Sequence, residues 1–151
     1  PFFPSIEIVE AHRETKIDSP SGTAVRTAEL IAAARSGVGP VESPYVDQRA
    51  RGQQVASVPI HSLRRPGVIA RQETILSGAG ESLTIVHDTT DPAAAYAHGI
   101  RVALAAARDA HGVTVGLDSF IDIGFRAPSS HADEPVDEGD VPGQVARATG
   151  A

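Results

Sequence analysis

The sequence lacks several residue types and patterns, and each absence excludes a class of function. None of the 151 residues is cysteine, which excludes disulfide bonds, thiolate zinc sites and cysteine nucleophiles. No apolar run approaches the ~18 residues of a membrane-spanning helix, and no basic segment with an apolar core opens the chain. The net charge of −6 argues against nucleic-acid binding, which requires basic patches. We therefore expect a cytoplasmic protein that binds neither membranes nor nucleic acids.

Three functional signatures are also missing from the sequence. The six histidines show no H-x-x-x-H or similar spacing of metal ligands, and no G-x-S-x-G nucleophile elbow is present. Gly78-Ala79-Gly80 begins like a dinucleotide fingerprint but lacks the strand-turn-helix context and the third glycine, so we interpret it as a hairpin turn. We expect no metal site, no serine-hydrolase chemistry and no cofactor-binding residues in this chain. Because the chain begins with Pro1, we also expect it to be a piece of a longer protein.

Lysine is nearly absent: Lys16 is the single one, beside twelve arginines. A lysine ammonium is a compact charge with three rotatable donors, whereas an arginine guanidinium is planar and forked. His12 lies nearby, and Ser21 or Thr23 can cap a following helix whose first N–H groups form an anion site. These features favour a pocket for a small substrate with carboxylate groups. The alternative, that one lysine survives by chance on a solvated loop, stays open.

The order of predicted elements indicates an α+β fold with a mixed sheet of about four strands flanked by helices. Ile6 to Glu10 alternates apolar and acidic residues and predicts a strand; Ala24 to Arg35 predicts a helix that ends near Gly37. One face of that helix carries Ala24, Ala28 and Ile31. Later elements are a loop (38–56), three strands (58–63, 68–76 and 82–88), a helix (91–110) and a mixed apolar segment (113–125).

We divide the chain into three parts. Residues 1–90 form a substrate-binding and oligomerisation domain, and residues 91–125 return toward a domain outside this chain. Residues 126–151 are rich in Pro, Asp, Glu, Gly and Ala without periodicity, which predicts a disordered tail.

Two stretches of the sequence resemble a known family. Glu10-Ala11-His12, Lys16, Asp18 and the run from Pro20 to Ala24 are similar to the E-x-H-H-x-x-K-x-D-A-P-S-G-T-A signature of 4-hydroxy-tetrahydrodipicolinate reductases. Segments between Arg51 and Asp88 follow the family's later strands in order. The resemblance covers about residues 2 to 125 and is greatest to actinobacterial members.

The resemblance assigns roles to five residues. It makes His12 the general acid, and Lys16 the residue that pairs with a substrate carboxylate and supports protonation. Gly22 and Thr23 would bind the other carboxylate. Arg13 stands where the family usually has a second histidine; it can bind a carboxylate bidentately but cannot act as a neutral donor.

The resemblance also implies the reaction and its partners. The family reduces a cyclic unsaturated imine dicarboxylate with NADPH or NADH in diaminopimelate and lysine biosynthesis, and it assembles as a homotetramer. The nicotinamide would be bound mainly by an N-terminal domain, so this chain alone should be inactive. Two alternatives stay open: a divergent domain that binds a dicarboxylate without turnover, and a purely structural assembly domain.

Five other residues receive structural interpretations. His61 and His87 lie on predicted strands and are interpreted as polar members of a sheet face or of a subunit contact. Asp18, just before Ser-Pro-Ser-Gly, is expected to fix the turn by bonding its backbone, with a catalytic role as the alternative. Arg64 and Arg65 are interpreted as a solvated pair, with a carboxylate or interface role as the alternative.

Overall fold

The structure is a computed structural model that describes residues 2–41 and 49–121. In these ranges the elements are β1 (Ser5–His12), α1 (Gly22–Ala34), a 3₁₀ turn (Arg49–Arg51), β2 (Gln53–Val55), β3 (Val58–Arg64), β4 (Ala70–Gly78), β5 (Glu81–Thr89) and α2 (Pro92–Ala106). The five strands form one sheet in the order β2-β3-β1-β4-β5. β1 is parallel to β3, and the other neighbours are antiparallel. The predicted α+β class and mixed sheet are confirmed.

The sheet contains one strand more than the four predicted. The additional strand, β2, has three residues and falls inside the stretch predicted as a loop from 38 to 56. Three residues are too few to show the alternation by which strands are recognised. Residues 42–48 of that predicted loop lie outside the described residues.

Helix α1 packs on one face of the sheet and forms the core with it. Ile6, Ile8, Ala24, Ala28, Val41, Val58 and Ile60 are buried together. The predicted apolar face of α1 is therefore confirmed, with Ile31 partly buried against the same cluster. Because alternate residues of a strand share a face, Glu10 and His12 lie on the side of β1 that faces α1. The packing of α1 thus brings its N-terminus close to these two side chains.

The ends of α1 follow from its caps. The Ser21 hydroxyl accepts a hydrogen bond from the Ala24 N–H at 3.3 Å, so Ser21 is the N-cap and Thr23 is not. The helix ends at Ala34, one residue before the predicted end, and the positive φ of 86° falls at Gly39 instead of Gly37.

Strands β4 and β5 form a hairpin along the edge of the sheet. Gly78 pairs with Glu81, and Gly80 has a φ of 90°, so the predicted turn is confirmed. Eight of the nine β5 residues are exposed, and Thr89 alone is buried. Leu83, Ile85 and Val86 are among the large apolar side chains left in solvent.

Helix α2 starts where predicted and ends early. The Asp91 carboxylate caps it by accepting from the N–H groups of Ala93 and Ala94, and Pro92 occupies the first turn. The helix ends at Ala106, four residues before the predicted Ala110, and residues 113–121 contain no strand. Within the described part of the chain, no helix is long and apolar enough to span a bilayer. Residues 122–151, including the predicted tail, lie outside the described residues.

Candidate functional site

Four of the five predicted site residues line two cavities where β1 ends and α1 begins, and Gly22 lines neither of them. His12, Arg13 and Lys16 line one cavity of about 510 Å³, together with Tyr96 of α2. A smaller adjoining cavity of about 130 Å³ is lined by His12, Thr23 and Tyr96, among others. His12 and Tyr96 therefore lie between the two. A cavity of similar size, about 530 Å³, lies near Gly52 and His61 and contains none of the predicted catalytic or substrate-binding residues.

A buried carboxylate, Glu10, contacts His12, which lines both cavities. It is fully buried, and its Oε2 lies 2.6 Å from Nδ1 of His12. Its Oε1 accepts from the Ser21 N–H at 3.2 Å, and both oxygens accept from Nη1 of Arg64 at 3.0 Å. Burial alone would raise the pKa of Glu10, but hydrogen bonds from Ser62, His12 and Arg64 outweigh it and lower the pKa. Glu10 is therefore an ionised acceptor at neutral pH.

Arg64 connects Glu10 to the loop that follows β1. Its Nε donates to the Lys16 carbonyl at 3.1 Å, and its Nη2 donates to the Asp18 carbonyl at 2.6 Å. The interpretation of Arg64 as a solvated side chain was wrong, because its side chain is only 19% exposed. Arg65 is exposed. The two arginines differ because β3 runs parallel to β1, with Arg64 beside His12 in register, so Arg64 shares the face of Glu10.

Lys16 points its ammonium at Asp18. Nζ donates to Oδ2 at 2.6 Å and to Oδ1 at 2.8 Å. The hydrogen bond from Lys16, with a smaller effect of its charge, lowers the pKa of Asp18. Asp18 thus pairs with the side chain of Lys16. The sequence analysis expected Asp18 to bond the backbone of the turn and did not predict this partner. Because the Asp18 side chain is 66% exposed, it can turn into solvent when another carboxylate approaches Lys16.

Arg13, Gly22 and Thr23 are the other residues predicted to bind the substrate. Arg13 is exposed at the rim of the larger cavity. Gly22 and Thr23 are the first two residues of α1, so their N–H groups have no partner within the helix. A helix N-terminus attracts anions through these groups and the helix dipole. The geometry therefore offers two cationic side chains and a helix N-terminus to an anionic ligand.

Tyr96 is a site residue that the sequence did not reveal. It lines both cavities from α2, although it lies more than seventy residues away from the motif of His12 and Lys16. The sequence of α2 is that of an ordinary alanine-rich helix, so no local pattern marks Tyr96 as a site residue.

The remaining histidines on strands make different contacts. Nε2 of His61 lies 2.7 Å from Oε2 of Glu7, which fits its interpretation as a polar member of a sheet face. His87 lines the smaller cavity with His12, so it lies closer to the site than its structural interpretation implied. Among the residues that the structure describes, no group of three or more His, Cys, Asp or Glu side chains could hold a metal ion.

Comparison with known proteins identifies the family. Residues 2–121 match the family model described as dihydrodipicolinate reductase, C-terminus. The chain belongs to this family. It is 58% identical to the 4-hydroxy-tetrahydrodipicolinate reductase of Clavibacter sepedonicus over 99% of this chain and 56% of that protein. It is 42% identical to the enzyme of the same name from Streptomyces griseus over 81% of this chain and 50% of that protein. The predicted resemblance to actinobacterial members is confirmed.

A solved structure agrees with this assignment. The dipicolinate-bound dihydrodipicolinate reductase from Paenisporosarcina sp. TG-14 superposes with a TM-score of 0.64 and 32% identity, over 80% of this chain and 46% of that one. The chain spans about half the length of the curated relatives it matches.

Proposed function

We propose that this chain is the C-terminal, substrate-binding part of a 4-hydroxy-tetrahydrodipicolinate reductase in lysine and diaminopimelate biosynthesis. One observation carries the proposal: in a member of this reductase family, His12, Arg13 and Lys16 line a single cavity beside the N-terminus of α1. The substrate is a cyclic unsaturated imine dicarboxylate, and the reductant is NADPH or NADH. In the described ranges no glycine-rich strand-turn-helix is available to hold a nicotinamide nucleotide, so we place the cofactor in the part of the protein outside this chain.

The charges of the site suit a dianionic substrate. Arg13 and Lys16 supply two positive charges, and the N–H groups of Gly22 and Thr23 supply two further donors. When the substrate binds, one of its carboxylates replaces Asp18 as the partner of Lys16. The other carboxylate lies against the first turn of α1, next to His12 in the smaller cavity.

His12 supplies the proton. Glu10 is ionised and can only accept, so the hydrogen bond to Nδ1 requires a proton on that nitrogen. Nε2 is then the nitrogen that remains for the substrate, and a protonated Nε2 can donate to the substrate carbon as a general acid. Lys16 stabilises the negative charge of the bound substrate during this transfer.

The assembly proposed for the full-length protein is a homotetramer in the cytoplasm. The edge strand β5 supports self-association, since it exposes eight of its nine residues and a row of unpaired backbone groups. Its exposed Leu83, Ile85 and Val86 would lose solvent contact in such an assembly.

Steady-state kinetics on three variants of the full-length protein test this proposal. Lys16→Ala should lower kcat, because part of the effect of Lys16 appears only in the transition state. Lys16→Arg should restore little, because a planar guanidinium cannot occupy the position of a compact ammonium. Arg13→Ala should raise KM by roughly tenfold to a hundredfold, the equivalent of one charge-assisted hydrogen bond of ~1.5–3 kcal/mol.

Arg65→Ala is the matched control, because Arg65 is an exposed arginine that lines neither cavity of the site. Its kcat and KM should stay within about twofold of the unmodified values, which is the ordinary effect of a surface substitution. Near-normal kcat for Lys16→Ala would contradict the catalytic assignment. Dicarboxylate binding without any turnover would support a divergent binding domain instead.

A further inference from the structure

The ion pair of Glu10 and Arg64 contacts both parts of the candidate site, although neither residue lines the cavities in which the substrate is proposed to bind. Glu10 binds His12, and Arg64 binds the loop that presents Lys16. We propose that Glu10 and Arg64 are positioning residues for the reaction, with Glu10 fixing the tautomer of His12 and Arg64 fixing the loop of Lys16. This inference rests on the proposed function, in which His12 and Lys16 act on the substrate.

Glu10 controls which nitrogen of His12 carries a proton. The distance of 2.6 Å between Oε2 and Nδ1 is short, as expected for a hydrogen bond to a charged acceptor. Since Glu10 is fully buried and ionised, it keeps the Nδ1–H tautomer and sets the orientation of the ring. Nε2 then remains for the substrate: it carries the transferable proton in the doubly protonated ring, and the Nδ1–H tautomer is what remains after the transfer. Without the carboxylate, the imidazole would be free to adopt either tautomer and to rotate.

Arg64 joins β1 to the loop through all five of its N–H donors. Two of them bind the Glu10 carboxylate, and the others bind the carbonyls of Leu63, Lys16 and Asp18. The carbonyls of Lys16 and Asp18 belong to the loop that follows β1, and Arg64 ties both of them to the same carboxylate that binds His12. One guanidinium thus sets the position of Lys16 relative to His12. A lysine at position 64 has only three donors and cannot make this set of contacts.

A merely structural ion pair predicts a different set of results. Such a pair would affect folding stability but would change neither the tautomer of His12 nor kcat separately from KM. A positioning role changes the histidine ring itself, because the proton on Nδ1 depends on the charge of Glu10.

The test uses Glu10→Gln in the full-length protein, read out by ¹⁵N NMR of the His12 ring and by steady-state kinetics. We expect the unmodified ring to show the Nδ1–H signature and Glu10→Gln to lose it. We expect kcat to fall by roughly tenfold to a hundredfold while KM changes by less than about threefold. Glu10→Asp keeps the charge and should retain a higher kcat than Glu10→Gln. If the glutamine variant does not fold, the same two measurements on Glu10→Asp replace it.

The adjacent arginines supply a matched pair for the second half of the proposal. Arg64→Lys should lower kcat by about tenfold or more, whereas Arg65→Lys should stay within about twofold of the unmodified protein. An unchanged Nδ1–H signature in Glu10→Gln, or an unchanged kcat, overturns the role of Glu10. Equal kcat values for the two arginine variants overturn the role of Arg64. If the unmodified protein has no turnover, the proposed function fails, but the ring signature still decides whether Glu10 fixes His12.

Discussion

Replacing Arg64 by alanine should destabilise the protein far more than the same change at Arg65. The structure gives the reason: Arg64→Ala leaves the fully buried Glu10 carboxylate without its guanidinium partner and frees the carbonyls of Lys16 and Asp18. Arg65 is exposed, so its removal uncovers no buried charge.

The magnitude follows from the burial of the pair. Removing one partner of a buried ion pair costs about 3–5 kcal/mol, because the other charge stays in the protein interior. Glu10 keeps its hydrogen bonds to His12 and Ser21, and Arg64 is 19% exposed, so we expect the lower end, about 3 kcal/mol. For a unit of 151 residues, such a loss corresponds to a decrease of roughly 6–12 °C in the Tm of the transition in which this part of the protein unfolds.

Thermal unfolding of the full-length variants measures this difference. Arg65→Ala should unfold within about 2 °C of the unmodified protein, because surface substitutions cost less than about 0.5 kcal/mol. Arg64→Met should lower the unfolding free energy much less in a protein that already carries Glu10→Leu than in the unmodified protein. In the double variant no buried charge is left unpaired. Equal Tm values for Arg64→Ala and Arg65→Ala would refute the reasoning, as would additive losses in the double variant.

Two further predictions concern pH and assembly. Because the pKa of Glu10 is lowered in the folded protein, its stabilising effect is present above the pKa of an unfolded glutamate, ~4.3, and is lost as pH falls through the lower folded value. The difference in unfolding free energy between the unmodified protein and Glu10→Gln, followed by urea titration, should therefore shrink below about pH 4.3; a constant difference would contradict this. Light scattering of the full-length protein at micromolar concentration should give the mass of a tetramer, and a monomer would remove the assembly argument from the exposed β5 edge.

The features predicted correctly from the sequence are those set by local patterns. The apolar face of α1, the turn at Gly78-Ala79-Gly80 and the start of α2 each depend on neighbouring residues, and the structure contains all three. The family was also visible in the sequence, mainly in the motif from Glu10 to Ala24, and the family model confirms it. The three-residue strand β2 escaped because it is too short to show a period.

The contacts that the sequence did not reveal join distant segments. Arg64 and Glu10 are 54 residues apart, and only the parallel pairing of β1 with β3 places them together. Tyr96 reaches the site from α2 by the same kind of tertiary packing. The contact between His12 and Glu10 could have been predicted from the sequence, because residues two apart on a strand lie on the same face. The roles of the site residues in binding and catalysis stay predictions.

Titration of dipicolinate into the full-length protein in the presence of NADPH tests most directly whether this site binds a dicarboxylate. The informative comparison is between the unmodified protein and the double variant Arg13→Ala/Lys16→Ala, with Arg65→Ala as the control for the loss of a surface arginine. Removing two charge-assisted contacts of ~1.5–3 kcal/mol each should raise the calorimetric Kd by at least about a hundredfold, while Arg65→Ala leaves it unchanged. Equal affinity of the double variant and the unmodified protein would contradict the account and would place the dicarboxylate elsewhere.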